Sequence, residues 1–370
     1  MKSSRNWKWA APILLYAASA LEMIIMVTPF AAYFYSIYTP LFHGLEQSIV
    51  TAWLPQFFLP HLAHTKLALF RGFNWLGAGL ALVGIIGFIA CAIQLYYGKF
   101  IRKQLVSGGL YGRVRHPQYL MLIIGGAGFL LLWPRFFILA TYLMMLGLYY
   151  MLARHEEETI RHRYGSVTDD YLTRVPMLNP FKGLRTSGQW KPIPRARAVR
   201  IWFAIIGISL VLAFGLRTIA VSQLYTVQWQ PPAPHVTALA FREMSDEAIR
   251  AIMEPVLETP EAQALLANNP DAALFMQIND GRSQLRHLLI DLGMTSEALG
   301  ALDIPQDGYF IVVSQVYWRD PDRKAMPNVF SLGARIKPVL LAGPTDDEGR
   351  LPVRELPADD FYPDFARILF

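Results

Sequence analysis

Cysteine is almost missing from this chain. Cys91 stands alone among 370 residues, which excludes an intrachain disulfide and every zinc site built on paired cysteines. Charge is scarce as well: Asp, Glu, Lys and Arg make up 17% of the chain, against about 25% in soluble globular proteins. Hydrophobic residues reach 54%. That excludes a disordered chain, which lacks apolar residues to bury, and argues against an ordinary soluble enzyme.

The charge that is present is unevenly placed. Up to Leu224 there are 22 Lys/Arg and 7 Asp/Glu, a net +15; beyond it there are 12 and 21, a net −9. The overall +6 therefore hides two opposite halves. This fits two environments and speaks against one basic nucleic-acid surface.

Apolar runs long enough to approach the ~20 residues of a membrane helix occupy 9–37, 75–97 and 201–222. Shorter runs at 119–133 and 136–152 meet at Pro134-Arg135. A proline there forbids one continuous helix and an arginine favours the interface, so the pair reads as a tight helical hairpin. Of the 22 basic residues before Gln223, 18 precede the first run, lie between Tyr97 and Pro117, or lie between Arg154 and Arg200. Lys66, Arg71, Arg135 and Arg217 are left for the other face. Basic loops accumulate in the cytoplasm, so the expected topology has a cytoplasmic amino terminus and an external carboxyl part. The first run is too long for a cleaved signal peptide and reads as an anchor.

The expected fold is thus an α-helical polytopic membrane protein of about five transmembrane helices, hairpin included, with a C-terminal extracytoplasmic α+β domain. The boundaries are 1–224 for the membrane part, 225–233 for a proline-rich linker and 234–370 for the outer domain. In that domain 244–257, 260–267 and 282–292 have helical apolar spacing, with Ser245 and Thr259 as caps. Residues 308–318 and 334–341 read as strands. The acids at 346–348 and 359–360 read as solvated loops, because the regular spacing of calcium ligands is missing. The segment between 36 and 66 reads as an outer-interface stretch. Its His43, His61 and His64 invite a metal site but find no fourth ligand, and structural histidines are the simpler reading; no metal is expected. Glu22, midway along the first run, is expected to face protein or a wet cavity.

Chemistry concentrates at the hairpin. The segment Gly109-Leu-Tyr-Gly-Arg-Val-Arg-His-Pro-Gln-Tyr119 lies just before it and Glu156-Glu157-Glu158 just after it. A hairpin joins its own ends, so Arg113, Arg115, His116 and Tyr119 are expected to meet the glutamates at one mouth. A salt-bridged structural cap and a working site both fit that arrangement.

The order Gly-Xaa-Tyr-Xaa-Xaa-Xaa-Arg-His-Pro-Xaa-Tyr, a hairpin, Glu-Glu-Xaa-Xaa-Ile, then Tyr164-Gly165 and Arg174-Val175-Pro176 resembles the isoprenylcysteine carboxyl methyltransferase family and its phospholipid methyltransferase relatives. The resemblance covers about 109–181. It implies an S-adenosylmethionine pocket at Arg115, His116, Pro117 and Tyr119 with Tyr111 nearby. Glu156 and Glu157 take the paired-acid positions and Glu158 is an extra acid. Tyr171 and Arg174 match the tail of the motif, Arg174 on the substrate side, which makes His116, Glu157 and Arg174 the implied catalytic candidates. Thr168 stands where the family usually has a tyrosine, and Met177-Leu178-Asn179 replaces the more usual ending before Pro180.

Such a donor is a sulfonium cation with an amino-acid carboxylate and an adenine. It needs acids for its ammonium, a cation for its carboxylate, and stacking or hydrogen-bonding groups for its ring, and all of these are present here. The implied activity is methyl transfer to a lipophilic or amphiphilic acceptor, through a carboxylate, amine or thiol, at the cytoplasmic membrane face and without nucleic acid. Two other readings use the same residues. Membrane sterol and steroid reductases also resemble this region and take NADPH, though they more often carry one acid followed by a basic residue and have more spans. A membrane-anchored receptor without catalysis is the third. Glycines 125, 126 and 128 read as a close helix contact and not as a nucleotide loop.

Overall fold

The computed structural model describes residues 50–61, 63–102, 106–181, 194–229, 235–268, 273–318, 329–331, 334–345 and 350–361, with isolated positions between 13 and 48. Glu22, His43, the acids at 346–348 and most of the first apolar run lie outside the described residues.

Five helices are described in full before the sheet: α1 (Ala68–Tyr96), α2 (Pro117–Leu132), α3 (Phe136–Tyr164), α4 (Ser166–Arg174) and α5 (Arg195–Ser222). Among the described residues, three stretches are long and apolar enough to cross a membrane, Ala68–Tyr96, Phe136–His162 and Ala196–Ser222; α2 is a shorter apolar helix. Exposed Ile85, Ile89 and Ile93 on α1, and Ile208, Val211 and Leu212 on α5, suit contact with lipid tails. The helices outrun the apolar runs. α3 continues past 152 to Tyr164, so Glu156 and Glu157 sit on its exit turns and not in a loop, because a helix leaving the bilayer keeps its hydrogen bonds while its residues turn polar.

The hairpin leans on α1 through glycine. A Cβ added to Gly84 would stand 2.4 Å from the Gly125 backbone, and one added to Gly128 would stand 2.3 Å from Ala81 N. Without a hydrophobic driving force between helices in lipid, such backbone contact is what association rests on.

A second compact unit gathers Ala32–Gly72, Pro134–Phe137 and Ala213–Phe370. Its centre is a six-stranded sheet whose spatial order follows the chain: β1 (Tyr225–Trp229), β2 (Val236–Ala240), β3 (Ala273–Asp280), β4 (Tyr309–Trp318), β5 (Ala334–Ala342) and β6 (Val353–Glu355). Only β2 and β3 run parallel. That pairing needs a crossover, supplied by α6 (Asp246–Leu257) and α7 (Pro260–Asn268). From α6, Ile249, Met253 and Val256 pack on Leu274, Met276 and Ile278 of β3. After β3 come α8 (Arg282–Asp291) and α9 (Ser296–Ala301). Ser245 and Thr259 accept from Ala248 N and Ala262 N at 3.2 and 3.4 Å, so both caps expected from the sequence form. β1 corrects the first part of the 225–233 linker: Tyr225 and Val227 are buried at period two, and this alternation makes 225–229 an edge strand, while 230–233 lie outside the described residues.

The same unit holds the hairpin turn. Phe58 N donates to Pro134 O at 2.8 Å and Phe136 N to Gln56 O at 3.0 Å, so 54–58 and the turn pair as a short ribbon. Arg135, expected at an interface, is fully buried. Its guanidinium lies 4.0 Å from the Phe57 ring centroid and donates to Pro55 O at 2.5 Å, which replaces water with a π face and a carbonyl. Arg217 likewise donates to the Phe57 and Phe330 carbonyls. His61 stacks on Phe57 at 5.0 Å; burial first, then the Arg135 charge, pushes its imidazole down to about 3.

Candidate active site

The motif before the hairpin builds a sharp entry into α2. Gly109 has φ +59°, and a Cβ there would fall 2.6 Å from Gln94 Nε2, so only glycine fits comfortably. Gln94 in turn donates to Gly108 O at 2.6 Å. Pro117 occupies the first position of α2, where its missing N–H costs nothing. The backbone before it is tied to the tail of the motif: Arg115 N donates to Pro176 O at 2.9 Å and His116 N to Met177 O at 3.2 Å. Tyr171 donates to the Tyr111 carbonyl at 2.8 Å. The later Tyr and Arg-Val-Pro pieces therefore clamp the earlier Arg-His-Pro piece.

Against this entry stands the last part of α3. His116, only 4% exposed, presents Nδ1 to Glu156 Oε2 at 3.4 Å and Nε2 to Glu157 Oε1 at 3.2 Å. Arg115 Nη1 pairs with the same Glu157 oxygen at 2.9 Å. Tyr119 donates to Glu156 Oε1 at 2.7 Å. Rings stack below, His116 on Tyr119 at 5.5 Å and Tyr119 on Tyr149 at 5.1 Å. Tyr149 is buried with Met145 and Leu152 in the apolar floor.

Electrostatics follow from burial and pairing. Burial alone lowers the His116 imidazole, but hydrogen bonds and charge from Glu156 and Glu157 outweigh it and hold the group above its ordinary value. Two carboxylates thus trap a proton on the ring. Burial lowers Arg115, opposed by Glu157, and burial raises the Tyr111 and Tyr171 hydroxyls.

Of the residues singled out from sequence, Tyr111, Arg115, His116, Tyr119, Glu156 and Glu157 come together here. Arg174 does not join them: its exposed side chain pairs with Asp170 one turn earlier on α4. Thr168, at the family's tyrosine position, is fully buried. Glu158 faces away, into a pocket between α3 and α5.

Two participants escape sequence reading. Tyr16 donates to Glu156 Oε1 at 2.9 Å, across 140 positions and from an apolar run that gives a tyrosine no distinction. Tyr149 lies two turns before Glu156 on α3, a spacing that places both on one face and was the available signal.

The arrangement offers a guanidinium, two carboxylates, an imidazole whose pKa is raised by those acids and a stack of rings within one small buried volume. No curated protein and no solved structure matches the chain. The phospholipid methyltransferase family model matches residues 68–167, the stretch that holds α1, α2, α3 and every residue of the cluster except Tyr16 and the clamping tail. Residues 68–167 are thus similar to the phospholipid methyltransferase family, within a chain whose described residues include three helices long and apolar enough to cross a membrane.

Proposed function

We propose that this protein transfers a methyl group from S-adenosylmethionine to a lipophilic or amphiphilic acceptor at the cytoplasmic face of the membrane. The observation that carries the reading is the convergence of Arg115 and His116 with Glu156 and Glu157 across the hairpin, inside the family-matched region. The residues fit the donor. Arg115 Nε is buried without a hydrogen-bond partner among the described residues, a spare donor for the amino-acid carboxylate. Glu156 and Glu157 suit the ammonium, and Tyr111 and Tyr119 suit the ring. When bound, the donor supplies a methyl group activated on a sulfonium.

The chain's own work is positioning. Alignment of reacting groups is worth ~7–11 kcal/mol in favourable cases, and a cluster locked by stacked rings and a backbone clamp suits that task. The carboxylates of Glu156 and Glu157 favour the protonated form of His116, which suits it to spacing the two acids. Where the acceptor is an amine or thiol, a glutamate is the better placed proton acceptor; where it is a carboxylate, no base is required. Arg174, exposed and paired with Asp170, is assigned to the acceptor side and not to the donor.

The cytoplasmic placement rests on the 18-to-4 division of basic residues and the positive-inside tendency. The division into a membrane part, 1–224, and an outer domain from 234 belongs to the same reading, with β1 at 225–229 attached to the outer sheet. Membranes containing the protein, incubated with radiolabelled methyl donor and extracted with organic solvent, should yield labelled lipid that is lost in Glu157→Gln. Absence of label from every extracted lipid would overturn the proposal.

A further inference from the structure

α5 lies beyond the family-matched residues, yet it builds a second pocket on the domain. The pocket, about 610 Å³ in volume, is lined by α3 through Met144, Leu148 and Met151 and by α5 through Val199 and Trp202. Trp202 Nε1 donates to Leu143 O at 3.0 Å, and a Cβ on Gly147 would stand 3.0 Å from that nitrogen. The glycine therefore opens the space against the indole. At ~3.6 residues per turn, Leu148, Met151, His155 and Glu158 centre roughly 110° around α3 from Tyr149, Leu152 and Glu156. The pocket is separate from the His116 cluster, and its assignment does not rest on the methyltransferase reading.

One end of the pocket is polar. Arg154, His155 and Glu158 line it, and none of the nearby ion pairs, Arg115–Glu157, Arg161–Asp169 and Arg174–Asp170, engages Arg154 or Glu158. The adjoining turns of α5 carry Arg197 and Arg200, so cations outnumber the single acid. Arg154 is about 27 Å along the helix axis from Phe136 at ~1.5 Å per residue, close to the ~30 Å thickness of a hydrocarbon core. The guanidinium is therefore at headgroup depth while the apolar wall runs back into the bilayer.

We infer that this pocket binds an anionic phospholipid, with its phosphate at Arg154 and an acyl chain along Met151, Leu148 and Trp202. The charge complementarity selects an anionic lipid over a neutral one, and the apolar wall selects a lipid over free phosphate. The bound lipid fills the gap between the family domain and the anchor helix α5.

The protein purified in neutral detergent is titrated with dioleoylphosphatidylglycerol, dioleoylphosphatidylcholine or inorganic phosphate while its melting midpoint is followed. Phosphatidylglycerol should raise the midpoint saturably, and phosphatidylcholine and phosphate should not. Arg154→Gln should shift the midpoint of the phosphatidylglycerol titration about tenfold upward in concentration, as expected for losing one contact to a charged group. Bromine-labelled phosphatidylglycerol should quench tryptophan fluorescence in wild type, and that part of the quenching should disappear in Trp202→Phe. Equal effects of the two lipids, an effect of phosphate alone, an unchanged response of Arg154→Gln, or quenching retained in Trp202→Phe would each overturn the assignment.

Discussion

His116 Nε2 lies 3.2 Å from Glu157 Oε1 although the two are 41 positions apart across the hairpin. The same carboxylate oxygen takes Arg115 Nη1 at 2.9 Å, so a single acid pairs with two buried side chains. Its removal has two consequences that are separable by the choice of substitution.

Glu157→Ala leaves the buried Arg115 without its carboxylate and His116 with Glu156 alone, and breaking a buried pair in this way costs about 3–5 kcal/mol. Glu157→Gln keeps a side-chain acceptor and should fold with a smaller loss. Donor affinity should fall by about 10–100-fold in the glutamine variant, the equivalent of about 1.5–3 kcal/mol for a hydrogen bond to a charged group. Thermal melts and donor titrations on both variants check this; equal melting of wild type and Glu157→Ala contradicts it.

The raised pKa of His116 gives stability a definite pH dependence. The unfolded imidazole releases its proton near ~6.5, whereas the folded one keeps it to higher pH. The stabilisation is therefore fully present below about pH 6.5 and is lost as pH rises through the folded value. The melting midpoint of wild type should decline on the alkaline side of neutrality, with the His116 component missing from His116→Gln. Parallel pH profiles for the two proteins contradict this.

The crossing of α1 and the hairpin should tolerate no side chain at Gly84, where a Cβ meets the Gly125 backbone at 2.4 Å. Overpacking of this kind costs about 1–3 kcal/mol or more. Gly84→Val should melt earlier in detergent, while Gly79→Ala, with nothing within 4 Å of the added carbon, should melt at or above wild type. Comparable losses in both would show that the crossing does not depend on close approach.

Ser245, the cap of α6, accepts from Ala248 N at 3.2 Å. Ser245→Ala should lose about 1 kcal/mol, read from denaturant unfolding of the sheet unit; Ser245→Asp should restore most of it. No loss in the alanine variant contradicts the cap.

Long, periodic features were legible in the sequence. The apolar runs at 75–97 and 201–222, the Pro134 break, the caps of α6 and α7 and the strands β4 and β5 follow from local pattern, and the motif residues before and after the hairpin meet because a hairpin joins its ends. What depends on tertiary context was not legible. β3 carries Gln277 and Asn279 inside an apolar run, and burial on both faces erases the alternation that would mark a strand. Arg135 is polar by composition but buried by the π face of Phe57. The cluster itself is more deeply buried than a solvent-reached pocket, because Tyr119 and Tyr149 stack beneath His116 and the 176–177 backbone closes over it. Tyr16 reaches Glu156 from far away in sequence, and no periodicity signals that contact.

Direct binding of the donor tests the central claim most sharply. Calorimetry on the purified full chain should detect S-adenosylmethionine or its demethylated product, with heat lost or much weakened in Glu157→Gln and none for NADPH. Binding of NADPH with no response to either methyl-donor species would contradict the account and favour reductase chemistry on the same hairpin.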